Sequence, residues 1–259
     1  MPQFMAKTMK LNKLALITGS DIKFENQFLI HSPTILELSE NNITENMFFK
    51  VLKLLTITKE DMEVQDEKIN NLSNFHLLLG VIFNEKFPET DRIDFFNVLE
   101  LLLKDYIISI SENGFILNDK NKEENFYILD AENFNIFQKY IKKIFCMDKI
   151  FSSQQAKDEY NPAGERAKRI AEQLKQRHKT LAEKEEKKQD ENISILANYM
   201  SILAIGIPCD ICQLKNITIY QLYELLNRYS LYYNYDLDVR CKLAGSTDKS
   251  EVENWMKIQ

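Results

Sequence analysis

The residues with the clearest potential for chemistry are Cys209 and Cys212, which stand in the sequence PCDIC. Thiol-redox sites and zinc sites both use this CxxC spacing. A zinc site needs two more ligands, and the remaining thiols, Cys146 and Cys241, each stand alone. A thioredoxin-type site follows a strand, whereas an apolar helical pattern precedes this pair. The pattern favours two small residues in a loop between helices, and a metal or thiol-redox centre stays an alternative.

Other side chains of catalytic type form no motif. Asp236 and Asp238 are two residues apart, so on a helix they point to nearly opposite sides and cannot chelate one ion. The i,i+4 spacing instead predicts an ion pair between Asp236 and Arg240. His31 ends a predicted strand, His76 lies in an apolar run where a core position is expected, and His178 lies in a charged segment. The sequence contains no phosphate-binding loop, dinucleotide fingerprint, nucleophile elbow or metalloprotease motif. We therefore expect a protein that is not an enzyme and has no cofactor.

The stretch QLYELLNRYSLYYNYDLDVRCKLAG, residues 221–245, is rich in tyrosine. Its helical spacing predicts one buried face, formed by Ile219, Leu222, Tyr223, Leu226, Tyr229, Tyr233, Leu237, Cys241 and Ala244. Tyr220, Tyr232 and Tyr235 fall off that face. A tyrosine ring is apolar while its hydroxyl tolerates water, which suits interfaces. The tyrosines thus predict either an interface with another protein or a helix that is buried on two sides.

These residues stand at the end of a chain that divides into three parts. Residues 10–150 predict an α+β domain, because helical patterns there accompany a small antiparallel sheet. LALITG and DIKFENQFLIH suggest short strands, interrupted at Gly19-Ser20 and Glu25-Asn26. Ser32 is expected to cap the first helix, with Pro33 at its first position.

Later segments of the same part alternate between helix and strand. Helices are predicted near 45–55, 73–84 and 91–104, with Thr44 capping the first and Thr90 the last. Asn113-Gly114 separates two apolar runs and predicts a type I′ hairpin, in which both residues have positive φ. NFYILD predicts a third strand, and AENFNIFQKYIKKIF an amphipathic helix.

Residues 161–191 predict a long, charged connecting helix. Its apolar stripe is thin and ends at Leu181, while pairs such as Glu165 and Arg169 support an exposed helix. Basic residues dominate its first half, but acidic residues dominate its second half and no aromatic side chain is interleaved for stacking on bases. We expect a solvated or partner-binding face here. A nucleic-acid adaptor stays an alternative, and it would use Arg166, Lys168, Arg169, Lys175, Arg177 and Lys179.

Residues 192–259 predict a helical C-terminal domain. NISILANYMSILAIGIP is apolar enough to be a buried helix that ends at Gly206 and Pro208. Thr218 is expected to cap the tyrosine-rich helix, and STDKSEVENWMKIQ predicts a last short helix. Together the three parts predict an α+β fold that is mostly helical.

Composition agrees with a folded protein outside the membrane. The chain has 259 residues, of which 44% are hydrophobic and 28% charged. A net charge of −6 gives no reason to bind nucleic acid or an anionic membrane. No apolar run approaches the roughly 20 residues that span a bilayer. Four cysteines without a dense framework suit a reducing compartment, so we expect a cytoplasmic protein.

Four segments of the chain share a recognisable pattern: HSPTILEL, YNPAGERAKRIAEQLKQ, ITIYQLYELLNRY and YNYDLDVRCKLAGSTDKSEVENWMK. They resemble proteins of tailed bacteriophages and prophages of low-GC Gram-positive bacteria. The chain resembles tail-gene proteins of the tail-assembly-chaperone or baseplate-assembly type. This resemblance implies no catalytic residue; it implies binding to tail components such as tape-measure or hub proteins, in the host cytoplasm or in the virion. The CxxC pair departs from the resemblance.

The function expected from the sequence is therefore a non-enzymatic phage tail assembly protein, with a permanent component of the tail or baseplate as the nearest alternative. Such a protein would cover an apolar segment of its partner with an aromatic face, and a homo-oligomer is compatible with the same surface. The residues expected to bind the partner are Tyr220, Tyr223, Tyr232, Tyr235, Trp255, Arg166 and Arg169.

Overall fold

The computed structural model describes residues 11–25, 27–59, 72–111, 114–122, 125–148, 194–207, 210–244 and 256. The helices are α1 (Lys13–Thr18), α2 (Ile35–Glu40), α3 (Glu45–Leu55), α4 (Asn74–Ile82), α5 (Glu89–Leu102), α6 (Ala131–Ile144), α7 (Ile195–Gly206), α8 (Ile211–Leu214) and α9 (Ile219–Leu243). The strands are β1 (Ile22–Phe24), β2 (Phe28–Ile30), β3 (Tyr106–Ser111), β4 (Gly114–Asp119) and β5 (Phe126–Asp130). A mostly helical α+β fold is confirmed. The predicted connecting helix, residues 161–191, lies outside the described residues.

The first predicted strand is wrong, because LALITG belongs to α1. The Asn12 side chain accepts hydrogen bonds from the Leu14 and Ala15 N–H groups, and Gly19 ends the helix with a φ of 71°. An asparagine cap and a left-handed glycine frame a helix of only six residues, too short to show a periodicity. The hairpin that follows is confirmed, with Ile22 opposite Ile30.

Two of the predicted helix starts are also wrong. The cap of α2 is Thr34 rather than Ser32, and Thr34 and Glu37 form a reciprocal capping box. Helix α5 begins before Thr90, after Pro88, and has no side-chain cap. Thr34 rather than Ser32 caps α2 because a capping box needs a glutamate three residues after the cap, and only Thr34 has one. The predicted cap at Thr44 is confirmed.

The three-stranded sheet has the antiparallel order β3-β4-β5. The hairpin predicted around Gly114 is confirmed, but its turn is not. Ser111 pairs with Gly114, so the connecting residues are numbers 112 and 113 and the glycine opens β4. Gly114 does not have positive φ; instead, a Cβ there would lie 2.6 Å from the Leu129 carbonyl oxygen of β5. The glycine therefore serves a close approach between strands.

One cluster of buried side chains runs from α1 to α9 and is rich in phenylalanine. Phe75 of α4, Phe115 of β4 and Phe134 of α6 meet in it with ring centroids 5.2 and 5.5 Å from Phe75. Leu203 of α7 and Leu222 of α9 belong to the same cluster. The C-terminal helices therefore pack on the N-terminal part through a continuous core.

Backbone hydrogen bonds reinforce this packing. The Ile35 N–H donates to the Ile217 carbonyl at 3.1 Å and the Leu36 N–H to the Lys215 carbonyl at 2.8 Å. Thr34 and Thr218 form an antiparallel bridge, so the caps of α2 and α9 lie side by side. The first turn of α2 is thus held by main-chain contacts against the residues that lead into α9.

Candidate binding surface

Helix α9 is anchored in the core by its first turns. Ile219, Leu222 and Tyr223 are its buried residues. Thr218 and Gln221 form a capping box, which confirms the predicted cap, and the Gln221 amide also donates to the Ile17 carbonyl at 2.8 Å. Helix α9 therefore leaves the body of the protein from a fixed base.

Helix α7 supports α9 only as far as Tyr229. The rings of Tyr199 and Tyr223 lie 5.5 Å apart, and further along both helices Gly206 lies against the ring of Tyr229. Helix α7 ends at Gly206, whereas α9 continues to Leu243. The core and the side chains packed on it include α9 residues up to Tyr229 and none of the described residues after it. We call residues 230–244 the α9 extension; it is about 22 Å long.

The predicted buried face of α9 is therefore wrong in its second half. The same stripe continues along the extension as Tyr233, Leu237, Cys241 and Ala244, and these residues are exposed. Tyr233 keeps 54% of its surface and Leu237 47%. The rings of Tyr229 and Tyr233 lie 6.3 Å apart, so the exposed stripe begins where the packed one ends. We call these four residues the extension stripe.

Helix α7 also exposes apolar residues near its end. Its sequence predicted burial, but its buried residues are Leu196 and Leu203 alone. Ile202 is partly exposed, and Ile205, next to the last residue of α7, is 88% exposed. Ile205 and the extension stripe are therefore both exposed apolar features beyond the core. Exposed apolar helix faces accept an amphipathic segment of a partner.

The tyrosines predicted to bind a partner have different environments. Tyr232 is 49% exposed and Tyr235 half-buried, and both lie on the extension. Tyr220 packs on the core, and its burial raises the pKa of its phenol. Tyr223 is buried in the core, where desolvation raises its pKa. Only Tyr232 and Tyr235 therefore contribute to a surface, while Trp255, Arg166 and Arg169 lie outside the described residues.

The charges of α9 are arranged in pairs along the helix. Glu224 and Arg228 lie 3.2 Å apart, and Asp236 and Arg240 lie 2.8 Å apart. The second pair is the one that its i,i+4 spacing indicates. Asp236 is therefore part of a helix-stabilising pair. The geometry does not support a metal site shared by Asp236 and Asp238.

The cysteines do not converge where the structure describes them. Cys212 is exposed, and its N–H donates to the Asp210 side chain that caps α8. Cys146 is buried and Cys241 is exposed on the α9 extension. Cys209 lies outside the described residues. Among the described residues, no group of three or more His, Cys, Asp or Glu side chains could hold a metal ion.

A polar cluster that the sequence analysis missed surrounds His31. Its Nδ1 lies 2.6 Å from Asp21 Oδ1, and its Nε2 lies 3.1 Å from Glu37 Oε1 and 3.3 Å from Lys104 Nζ. The cluster joins the β1–β2 hairpin to the capping box of α2. No sequence signal marks it, because only folding brings these side chains to one place. Of the other two histidines, His76 is exposed rather than in the core and contacts Ser73, while His178 lies outside the described residues.

The two carboxylates of this cluster have lowered pKa values. Burial by itself raises the pKa of Asp21, but the hydrogen bond and charge of His31 and the charge of Lys104 outweigh it. Burial likewise raises the pKa of Glu37, but hydrogen bonds from Thr34 and the charge of His31 outweigh it. Groups with a lowered pKa stabilise the fold above their unfolded pKa and lose that contribution as the pH falls through the folded value.

We expect Asp21→Asn to lower the free energy of unfolding by about 1 kcal/mol at pH 7. The deficit should shrink as the pH falls below about 4 and through the lowered pKa of the folded wild-type carboxylate, because that carboxylate then becomes protonated as well. Urea unfolding at pH 7, 5 and 3.5 measures both effects. Glu40→Gln, at the exposed end of α2, is the control and should show neither. A deficit that stays the same at pH 3.5 would contradict this account of the cluster.

Comparison with known proteins adds one observation. Residues 186–259 match the family model described as the YomV second domain. YomV is a Bacillus prophage-type protein, and it is a domain of this type that residues 186–259 resemble. The matched residues include all of α7, α8 and α9, and thus the whole surface described above. No curated protein and no solved structure matches the chain.

Among the described residues, no helix combines the length and the apolar character that crossing a membrane requires.

Proposed function

We propose that this chain is a non-enzymatic phage tail assembly protein, which binds a tail component such as a tape-measure or baseplate hub protein. The observation that carries the proposal is the extension stripe, an apolar helix face that the described part of the chain leaves uncovered. Tyr233 and Leu237 each expose a large apolar area to water. A partner that covers them removes this area from water, which favours binding. The YomV-type match to the same residues supports a phage role.

The proposed client is an amphipathic helix of a tail component. It would lie along the extension stripe on α9, with its own apolar residues at i, i+3, i+4 and i+7. The anchored half of α9 would keep the extension in place, which lowers the entropic cost of binding. Covering the client in this way would protect an assembly surface until the proper tail partner replaces the chaperone.

Two substitutions in the extension stripe test this proposal. We expect Tyr233→Ser with Leu237→Ser to reduce capture of the client at least about tenfold, since two exposed anchors of an interface are lost. The measurement is co-expression with the products of neighbouring genes, followed by pull-down and mass spectrometry. The fold should remain intact, because neither side chain belongs to the core.

The matched control lies on the outer face of the three-stranded sheet. Ile107 and Phe126 are 58% and 62% exposed, comparable with the stripe residues. Ile107→Ser with Phe126→Ser should leave capture unchanged. Equal capture of the client by the stripe variant and by the wild type would contradict the proposal. Mass spectrometry of purified particles then separates the two roles, because an assembly chaperone should be absent and a permanent tail component present.

A further inference from the structure

A second face of the α9 extension carries a pattern that a client helix would not require. Tyr232, Tyr235, Val239 and Leu243 recur at spacings of three and four residues and therefore lie on one side of the helix. None of the four belongs to the core or packs on it. Tyr232 is 49% exposed and Leu243 84% exposed. We call these residues the extension edge; they are distinct from the extension stripe.

Charged residues flank the extension edge in a fixed order along the chain. Two acids come first, Asp236 and Asp238, and two bases follow, Arg240 and Lys242. At 100° per residue, Asp236 and Arg240 lie to one side of the edge, and Asp238 and Lys242 lie to the other. Each side thus carries one carboxylate and, a turn later, one cation.

This order is complementary to itself when the helix is reversed. An antiparallel copy centred on Val239 places its Arg240 beside Asp236 and its Lys242 beside Asp238. The two-fold axis makes each pair occur twice, because the acids and bases of the first copy meet their counterparts in the second copy in the same way. A parallel copy instead places acid beside acid and base beside base, which is unfavourable.

We propose that the extension edge binds a second copy of this chain as an antiparallel helix pair centred on Val239. The seam would hold Val239 against its own counterpart and Leu243 against Tyr235 of the second copy. The charged pairs on both sides would set the antiparallel direction. Because the extension stripe faces a different side of the helix, a dimer of this kind could present two client sites.

The expected association is modest. Each copy contributes about four helical turns, so the interface falls at the small end of the range for specific contacts. We expect a dimer whose dissociation constant is about micromolar at low salt and which weakens as the salt concentration rises. Sedimentation equilibrium of the full chain over a hundredfold range of concentration measures this association.

Charge exchange tests the direction of the pair. Asp236→Arg alone should place two cations together at each end of the seam and raise the dissociation constant at least about tenfold. Adding Arg240→Asp should restore association, because the exchanged charges again face opposite charges in an antiparallel pair. Circular dichroism checks that both variants keep their helices, since the exchange also reverses the pair within one chain.

Val239→Glu tests the centre of the seam, because it brings two carboxylates together on the axis. It should yield a monomer at every concentration, whereas Ile107→Glu on the sheet face should not change the association. A wild-type chain that stays monomeric overturns the proposal, as does a dimer that Val239→Glu leaves intact or a charge exchange that fails to restore association. Client capture is measured separately with the stripe variant, so loss of the dimer with capture retained leaves the proposed function in place.

Discussion

Replacing Gly114 with alanine should lower the free energy of unfolding by about 3 kcal/mol. The added Cβ would lie 2.6 Å from the Leu129 carbonyl oxygen and 3.0 Å from Asp130 Cα, and both are main-chain atoms of β5. A side-chain neighbour could rotate away, but these atoms belong to the ladder that pairs β4 with β5. Relief therefore requires the strands to move apart at the place where β5 continues into α6. Urea unfolding of the full chain measures the loss.

Gly80→Ala is the matched control for this substitution. Gly80 lies inside α4, is exposed, and has no atom within 4 Å of the position of an added Cβ. Alanine favours a helix over glycine, so the control should raise the free energy of unfolding by about 0.5–1 kcal/mol. Both variants replace glycine with alanine, but the free energy of unfolding is expected to fall in one and to rise in the other. If Gly114→Ala were as stable as the wild type, the close approach of β5 would not be what requires a glycine there.

The second large effect is expected from Glu45, which connects α3 to the start of α7. Glu45 is the first residue of α3, yet its carboxylate accepts hydrogen bonds from the Ile195 and Leu196 N–H groups, both at 3.0 Å, and from the Ser194 hydroxyl. It therefore caps α7 from another helix, at the end where the positive pole of the helix dipole attracts an anion. Glu45→Ala should lower the free energy of unfolding by about 2 kcal/mol, because N–H groups lose a charged acceptor.

The location of the effect is as informative as its size. Hydrogen exchange at the start of α7 should accelerate more than exchange in α4 or α6, since the lost contacts are at α7 alone. Glu89→Ala is the control, because Glu89 is also the first residue of its helix, α5, and is exposed. It should cost no more than the dipole interaction, about 0.5 kcal/mol. Equal losses for the two variants would show that Glu45 acts through its own helix and not through α7.

This contact also bears on the proposed function. The start of α7 lies beside Tyr223, and its end lies against Tyr229, so α7 supports the packed half of α9. A loosened α7 should therefore weaken client capture without any change in the extension stripe itself. We expect Glu45→Ala to lower capture less than the stripe variant does, because only the base of α9 is affected.

Local signals were enough wherever a structure depends on neighbouring residues. Thr44 and Thr218 cap the helices predicted from them, and the hairpins at residues 22–30 and 106–119 form as their patterns indicate. Asp236 and Arg240 pair as their spacing predicts. Each of these features depends on residues a few positions apart, so the sequence contains all that is needed.

Errors arose where a distant partner or a competing local signal decides. Six residues of α1 form a helix because of caps at both ends, although their composition favours a strand. Asn113-Gly114 has the sequence of a turn, but a glycine is needed at 114 because the Leu129 carbonyl of the next strand lies so close. His31 meets Asp21, Glu37 and Lys104 only after a hairpin and two helices have packed together.

The sequence by itself determined the mostly helical α+β class, the helical nature of the C-terminal part and the periodic apolar face of α9. Periodicity identifies an apolar face of a helix, but it cannot show whether another part of the chain covers that face. Only the tertiary structure decided this, because α7 ends at Gly206 while α9 runs on to Leu243. The face is therefore core up to Tyr229 and exposed surface beyond it, since a helix stripe is buried only as far as its neighbour extends.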